Sequence, residues 1–310
     1  METDTQLVVL EYGTQFYCVR TKMEVISMKT LSLRSAVFCL SLIAIGLVLA
    51  LQVNARIDPK LAAGIWLFDE GKGDVAKDSS ENANDGVLQN KPGWIEGKSG
   101  KGLDFDGKGA YVSVPMSDSL NIADKITIVG WVYPYFYGQS GKKQLDAADG
   151  KSANILSNMQ NAGSYIGPYW WEYSNNGQVN AYFAAPQADK YITPTIPNLN
   201  VDKWSHIAAT YDSSKGVAYV YMDGVVAQTL TNAGFGELRV GVELAIGTGK
   251  GGGDYGKPFN GKIDEVAVFH AALSQSDIEE IMNNGIARAT GIVAVSPSGS
   301  LTATWGSIKR

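Results

Sequence analysis

Residues 204–230 read WSHIAATYDSSKGVAYVYMDGVVAQTL, and this stretch decides the fold class. Three runs rich in β-branched and aromatic residues are separated first by a polar loop with a glycine, 212–216, and then by Asp223-Gly224. Such runs bounded by turn residues are typical of strands. Asp-Gly favours a two-residue hairpin turn, because that turn needs positive φ at both central positions. The stretch therefore predicts three consecutive antiparallel strands.

The same pattern extends in both directions along the chain. Residues 126–134 (ITIVGWVYP), 244–247 and 261–269 predict further strands, and glycine-rich turns lie between the runs. One helix is expected over 274–281, with Ser274 as N-cap, Asp277 completing a capping box and Gly285 ending it. Many short strands and one late helix predict an all-β fold, a two-sheet antiparallel jelly-roll sandwich with one short C-terminal helix.

The amino-acid composition limits which kinds of molecule the protein can bind. The chain has 310 residues, 45% hydrophobic and 18% charged, so it can bury a substantial core. The net charge is −5, and no basic stripe is present, so we expect no nucleic-acid partner. Cys18 and Cys39 are the two cysteines, so neither a disulfide framework nor a cysteine metal site can form further along the chain.

The N-terminal region resembles an export signal. Residues 36–51 form an apolar run of 16, with Lys29 and Arg34 before it and small residues at 53–55. This arrangement predicts a signal peptide over 28–55 and a secreted, periplasmic or cell-surface protein. An uncleaved membrane anchor is the alternative, and would be the protein's one contact with a membrane. We expect translation to start at Met28, which leaves residues 1–27 as an extension outside the protein.

Seven segments, in order, resemble the laminin G-like jelly-roll domains of the concanavalin A-like lectin/glucanase superfamily. They are 64–73 (GIWLFDEGKG), 78–86 (DSSENANDG), 97–114 (GKSGKGLDFDGKGAYVSV), 126–134, 204–208 (WSHIA), 219–224 (YVYMDG) and 259–269 (FNGKIDEVAVF). Gly102 stands where this family usually has alanine. We therefore expect one laminin G-like domain over 56–290, followed by a C-terminal tail over 291–310.

The resemblance implies a calcium ion and a partner that is a glycan or a surface protein; it does not imply an enzyme. Acidic side chains at matching turns of the family often bind calcium, so the resemblance implies Asp69, Asp106 and Asp264 as ligands. Calcium takes six to eight oxygen ligands, which carboxylates and turn carbonyls supply. The alternative is that Asp106-Gly107 is a plain turn and that Asp264 and Glu265 make local hydrogen bonds.

Residues 164–173, SYIGPYWWEY, depart most from the family pattern. If the Gly-Pro pair makes a turn, Tyr169, Trp170, Trp171 and Tyr173 can form an exposed ligand platform, since flat aromatic rings stack on sugar rings and anchor protein partners. The alternative is a strand with alternate rings in the core. Three further tryptophans, Trp66, Trp131 and Trp204, are expected to fill the core.

The sequence favours binding over catalysis. A glycoside hydrolase of related fold needs paired carboxylates on one strand, whereas Asp264 and Glu265 are adjacent and should point to opposite faces. Neither a serine-hydrolase elbow nor a catalytic role for His206 or His270 is indicated. We expect an exported, non-catalytic module that binds carbohydrate, with calcium. A cell-surface adhesion protein that binds protein partners is the alternative, and a glycoside hydrolase is the less favoured one.

Overall fold

The structure is a computed structural model that describes residues 57–135, 152–161, 165–174, 176–186, 190–232, 235–239, 241, 243–249 and 257–292, together with two strands near the N-terminus. The chain divides into two compact units, Met1–Ala55 and Arg56–Arg310. In the first unit, β1 (Val8–Tyr12) and β2 (Gln15–Val19) form an antiparallel hairpin. The predicted signal peptide lies outside the described residues, as does the predicted tail beyond residue 292. In the described part of the chain, no helix is long and apolar enough to cross a membrane.

Two antiparallel sheets form the second unit. In spatial order the nine-stranded sheet contains β13 (Tyr191–Ile192), β12 (Val179–Ala184), β11 (Tyr165–Tyr173), β10 (Ala153–Asn161), β18 (Leu244–Ile246), β8 (Tyr111–Val114), β5 (Gly86–Gln89) and β4 (Val75–Ala76), with β14 (Thr195–Ile196) also paired to β12. The eight-stranded sheet contains β17 (Val225–Thr231), β16 (Val217–Met222), β15 (Ser205–Asp212), β9 (Lys125–Pro134), β19 (Asn260–Phe269), β7 (Lys101–Asp106) and β6 (Gly93–Glu96), with β3 (Ala62–Trp66) also paired to β19. This arrangement confirms the predicted jelly-roll sandwich.

The main core lies between the sheets. Its largest side chains come from both sheets, Trp66, Phe105 and Tyr211 from one and Trp171 and Phe183 from the other, and each is at most 2% exposed. Successive side chains of a strand point to opposite faces, so each strand supplies this core from every second residue. The other residues of each strand form the two outer faces, where a ligand can reach the sandwich.

Two helices cover part of the outer face of the eight-stranded sheet. Helix α1 (Gln275–Asn284) starts at the Ser274–Asp277 capping box as predicted, and it buries Ile278 and Ile281 in a second apolar cluster. A second helix that was not predicted, α2 (Ile286–Thr290), follows Gly285 and buries Ile286 in the same cluster.

The helices lie over the centre of the eight-stranded sheet. Their apolar side chains share a cluster with Val129 of β9, Ala208 of β15 and Ala267 of β19. Trp131 and Tyr133, which lie farther along β9, do not belong to this cluster. The remaining part of that outer face is therefore not covered by α1 and α2.

A polar loop is fixed to the first strand of the sandwich. The Asp78 carboxylate accepts hydrogen bonds from the backbone amides of Ile65, Ser80 and Asn84, at 2.7–2.8 Å, and from the Ser80 hydroxyl. The Trp66 indole in turn donates to the Asn84 carbonyl. The aspartate and asparagine of this family-like segment therefore hold the loop in place, because they satisfy backbone groups that would otherwise be buried without partners.

The two ends of the domain meet. The Ile57 amide donates to the Ala289 carbonyl at 3.1 Å, and the adjacent strand β3 pairs with β19. The first and last described segments of the sandwich therefore lie side by side.

Candidate functional site

Strand β11 carries all four rings that were predicted to bind ligand. Tyr169, Trp171 and Tyr173 point into the main core and are 0%, 2% and 4% exposed. Because residues 169–173 pair without interruption with residues 179–183 of β12, alternate rings are buried between the sheets. The prediction of an exposed four-ring platform is therefore wrong, and the alternative reading of a strand with alternate rings in the core is right for these three.

Trp170 belongs to a different group of rings, on the outer face of the nine-stranded sheet. It stacks on Tyr182 of β12 with ring centroids 4.3 Å apart and an interplanar angle of 6°. Tyr191 of β13 meets both rings edge-on, at 6.3 Å from Trp170 and 5.6 Å from Tyr182. Trp170 is only 3% exposed, whereas Tyr191 is 53% exposed and Tyr182 is partly exposed. We call these three residues the aromatic cluster, in which Trp170 supports the two accessible tyrosines.

The sequence analysis missed both tyrosines. Tyr182 pairs directly with Trp170 across the strands, and Tyr191 pairs with Ala184. Once the strand register is known, both tyrosines are therefore expected on the same face of the sheet as Trp170. Within residues 179–184, VNAYFA, the alternation of Val179, Ala181 and Phe183 inward is a signal that places Tyr182 outward.

A row of polar side chains lies next to the aromatic cluster on the same face. Cross-strand pairing places Thr195, Asn180, Glu172 and Asn154 side by side on β14, β12, β11 and β10. The Thr195 hydroxyl donates to Asn180 at 2.9 Å, and the Lys257 ammonium pairs with Glu172 at 2.5 Å. The row is electrically balanced and rich in hydroxyl and amide groups.

Two buried polar atoms of β10 lie on this face and have no hydrogen-bond partner within the described part of the chain. They are Oδ1 of Asn154, whose residue pairs with Glu172, and Oγ of Ser157, whose residue pairs with Trp170. Each residue is 1% exposed. Buried polar groups are normally hydrogen-bonded, so these two atoms are unusual. They add polar character beneath the aromatic cluster and the polar row.

The three predicted calcium ligands do not form one site. The exposed Asp106 accepts from the Lys108 amide at 2.8 Å, which is the plain turn that was the alternative. Asp264 accepts from the amides of Lys98 and Ser99 at 2.8 and 3.0 Å. Asp69 accepts from the Lys101 amide at 2.8 Å.

The hydrogen bonds that these carboxylates accept do not suit a cation-binding site. Amide N–H groups point at both carboxylate oxygens of Asp264, including that of Glu265 at 2.8 Å, where a calcium ion would need free lone pairs. Across the described ranges, no three acidic, histidine or cysteine side chains come close enough to hold a metal ion. Asp69 and Asp264 instead fasten the turn at residues 98–101.

Asp264 and Glu265 do not point to opposite faces as predicted. A register shift interrupts the pairing of β19 with β9 between Asp264 and Ala267, and Glu265 has a φ of +47°, so alternation fails at this bulge. Both residues are buried, and burial raises the pKa of Asp264 to about 8 and that of Glu265 to about 7. The Ile286 amide donates to Glu265, so this buried acid fixes the start of α2.

The tryptophans predicted to fill the core divide between the two sides of the eight-stranded sheet. Trp66 is fully buried between the sheets, as predicted. Trp131 is buried outside that core against His206, with ring centroids 5.1 Å apart. Trp204 is partly exposed beside Tyr133, so the core prediction is wrong for it. Burial lowers the pKa of His206 to about 3, which makes this imidazole neutral and unsuited to proton transfer near neutral pH.

Comparison with known proteins identifies relatives by sequence and by fold. A family model for the concanavalin A-like lectin/glucanases superfamily matches residues 106–279, more than half of the chain. No curated protein matches the chain in sequence.

Solved structures give a likeness of fold. The binding domain of Paraclostridial Mosquitocidal Protein 1 superposes with a TM-score of 0.58 at 15% identity, over 73% of this chain and 52% of that one. Domain 4 of AbnA, an extracellular arabinanase from Geobacillus stearothermophilus, in complex with arabinotriose, gives 0.52 at 18% identity, over 71% and 98%. The botulinum neurotoxin serotype D ligand-binding domain, in complex with N-acetylneuraminic acid, gives 0.54 at 11% identity, over 73% and 51%. The chain thus spans about half the length of the toxin domains that it matches.

Proposed function

Because the chain belongs to the concanavalin A-like lectin/glucanases superfamily, we propose that it is an exported, non-catalytic module that binds carbohydrate on the outer face of its nine-stranded sheet. One observation carries this proposal: Tyr182 and Tyr191 present accessible rings on that face, and Trp170 backs them. Aromatic faces bind the C–H faces of sugar rings, and tyrosine adds a hydroxyl that can bind sugar hydroxyl groups.

The polar row supports a sugar ligand in particular. Thr195, Asn180 and Glu172 supply hydroxyl, amide and carboxylate groups within one or two strand spacings of Tyr182. A binding site that combines apolar area with a few placed polar groups is typical for small ligands. Since Glu172 is paired with Lys257, the row favours a neutral saccharide.

The placement of acids on this face supports binding without catalysis. Glu172 and Glu243 both lie on it, and Glu243 accepts from the Ser113 hydroxyl. Glu172 pairs with Asn154 of β10. Glu243 immediately precedes β18, whose Ala245 pairs with Ser157, so Glu243 lies farther along the sheet and two strands from β11. Strand geometry places the two carboxylates on the order of 19 Å apart, whereas glycoside hydrolysis needs carboxyl groups about 5–10 Å apart.

Binding of oligosaccharides tests the proposal. Arabinotriose and an oligosaccharide ending in N-acetylneuraminic acid, taken from the ligands of two neighbours in fold, are suitable first probes beside a broad glycan array. We expect the Tyr182→Ala/Tyr191→Ala variant to lose at least tenfold in affinity for any glycan that the protein binds, while circular dichroism and cooperative unfolding show that it is still folded.

Tyr219→Ala is the matched control, since Tyr219 is an exposed tyrosine, 37% accessible, on the other sheet. A glycan array without signal, combined with surface proteins that co-purify, would favour the adhesion alternative. Unchanged glycan affinity of the double variant would show that the site is elsewhere.

Export and calcium dependence are further parts of the proposal. The apolar run at 36–51 supports export, and sequencing of the mature N-terminus after secretion tests it. Calcium dependence rests on the family resemblance alone, since the predicted carboxylates are held by amides. Dialysis against a chelator, followed by measurement of bound calcium, melting temperature and glycan affinity, tests it.

A further inference from the structure

The part of the eight-stranded sheet that the helices leave uncovered carries a second group of rings. Trp204 meets Tyr133 edge-on at 5.6 Å, and Tyr133 meets Tyr135 edge-on at 5.8 Å. The Lys262 ammonium lies 4.7 Å from the Tyr133 ring centre and 5.9 Å from that of Tyr135. Asp104 pairs with Lys262 across the strands. We call these five residues the back strip, and each is partly exposed.

The back strip crosses four strands in one line. Trp204 immediately precedes β15, Tyr133 lies on β9, Lys262 on β19 and Asp104 on β7. Three spacings between neighbouring strands make a strip about 14 Å long. That length suits an oligosaccharide better than a single sugar.

Several hydrogen-bonding groups of the back strip have no partner among the described residues. These are the indole N–H of Trp204, the hydroxyl of Tyr133, the ammonium of Lys262, which makes ring contacts but no ion pair, and Oδ2 of Asp104. Oδ1 of Asp104 accepts from the Tyr135 hydroxyl at 2.6 Å, which fixes the direction of the carboxylate. The strip thus combines ring surface with donors, an acceptor and a net charge of zero.

The strip is open at its Asp104 end. Gly93 of β6 is paired with Asp104, and a Cβ placed there would meet only the Asp104 Cβ, at 3.7 Å. With no side chain at this position, a chain-like ligand can continue past the edge of the strip.

We propose that the back strip is a second saccharide-binding surface that takes a neutral oligosaccharide, so that one sandwich binds glycan on both of its outer faces. Among the described residues, the strip has one ammonium without an ion pair and one carboxylate oxygen without a donor, and this balance favours a neutral, hydroxyl-rich ligand over an anionic one. The inference rests on the proposed function for the class of ligand, but on different residues for the site. Two surfaces on opposite sheets make a single domain able to connect two glycan chains.

Calorimetric titration with a neutral oligosaccharide tests the inference through stoichiometry. The ligand is arabinotriose, or the neutral glycan that the array ranks first. We expect two sites on the wild-type domain, one site in Trp204→Ala/Tyr133→Ala, one in Tyr182→Ala/Tyr191→Ala, and none when the four changes are combined. Tyr219→Ala, a change of an exposed ring on the same outer face as the back strip, should keep both sites.

Milder variants guard against loss of folding. Trp204→Phe keeps a ring but removes the indole N–H, and Lys262→Met keeps the stem but removes the charge; each should weaken the back-strip site threefold or more with an unchanged melting temperature. A multivalent neutral polysaccharide should be precipitated by the wild-type domain and not by either double variant.

The outcomes separate this inference from the proposed function. One site, removed by the Tyr182/Tyr191 changes and insensitive to the Trp204/Tyr133 changes, would refute the back strip and leave the proposed function standing. One site removed only by the Trp204/Tyr133 changes would refute the proposed location and support the back strip. A wild-type domain that binds no glycan would refute both, and tighter binding of a sialylated glycan at the back strip would refute its neutral ligand class.

Discussion

Replacement of Glu265 by glutamine should change how the stability of the domain depends on pH. Glu265 is buried at 6% exposure, and its carboxylate accepts from the Ile286 amide. Burial raises its pKa from 4.5 to about 7. The folded protein therefore holds the proton more tightly than the unfolded chain does. Glu265→Gln keeps an acceptor for the Ile286 amide but removes the titration.

The sign and size of the effect follow from this difference in pKa. The contribution of Glu265 to stability is most favourable below about pH 4.5, where both states carry the proton, and it falls as the pH rises to about 7. Since one pKa unit corresponds to 1.36 kcal/mol, Glu265 should cost the folded state about 3 kcal/mol by pH 8. The neighbouring Asp264, whose pKa burial raises to about 8, acts in the same direction.

Urea unfolding at pH 5, 6, 7 and 8, in the presence of a chelator, measures this dependence. We expect the free energy of unfolding of the wild-type domain to fall by about 3 kcal/mol or more over this range. Glu265→Gln should be flatter over the same range and more stable than wild type at pH 8. Equal slopes for the two proteins, or stability that rises towards pH 8, would show that the buried acid is ionised at no cost.

Four further substitutions test the placement of individual side chains, each by urea unfolding at pH 6. Trp171→Ala should lower the free energy of unfolding by about 4 kcal/mol, since its ring fills the main core, whereas Trp170→Ala on the outer face should cost about 2 kcal/mol; equal costs would contradict their opposite orientation. Asp78→Ala should cost about 3 kcal/mol, because it leaves buried amides without an acceptor; a neutral result would mean that water replaces the carboxylate. Asp106→Asn should change stability by less than about 0.5 kcal/mol and leave the calcium content of the protein unaltered. A lower calcium content would show that Asp106 is a calcium ligand after all.

The fold was predictable because its evidence is local. Each strand of residues 204–230 carries its own β-rich run and ends at its own turn, and the structure has strands at Ser205–Asp212, Val217–Met222 and Val225–Thr231. The capping box at Ser274 likewise needs only residues three apart.

The site was less predictable because it depends on side-chain parity and distance in space. A run of rings such as residues 169–173 does not show which alternate set faces the core, and the structure buries Tyr169, Trp171 and Tyr173. Parity fails entirely at Glu265, where the bulge interrupts alternation.

Calcium ligands were misjudged for a related reason. Asp106 pairs across the sheet with Asn260, and Asp264 lies four residues farther along the same strand. Four residues of strand measure about 13 Å, so these two carboxylates cannot share one ion. The order of these residues along the chain does not show how far apart they lie in the folded protein.

The hydrogen bond between Ile57 and Ala289 has a mechanical consequence. The described chain enters and leaves the sandwich at neighbouring points, so a pull on both flanking segments first loads the contact between Ile57 and Ala289. As part of a longer chain, such a domain is attached on one side and can rotate about that attachment. Domains whose ends adjoin also tolerate a relocated chain start, and a circular permutant that joins residues 57 and 292 should therefore fold.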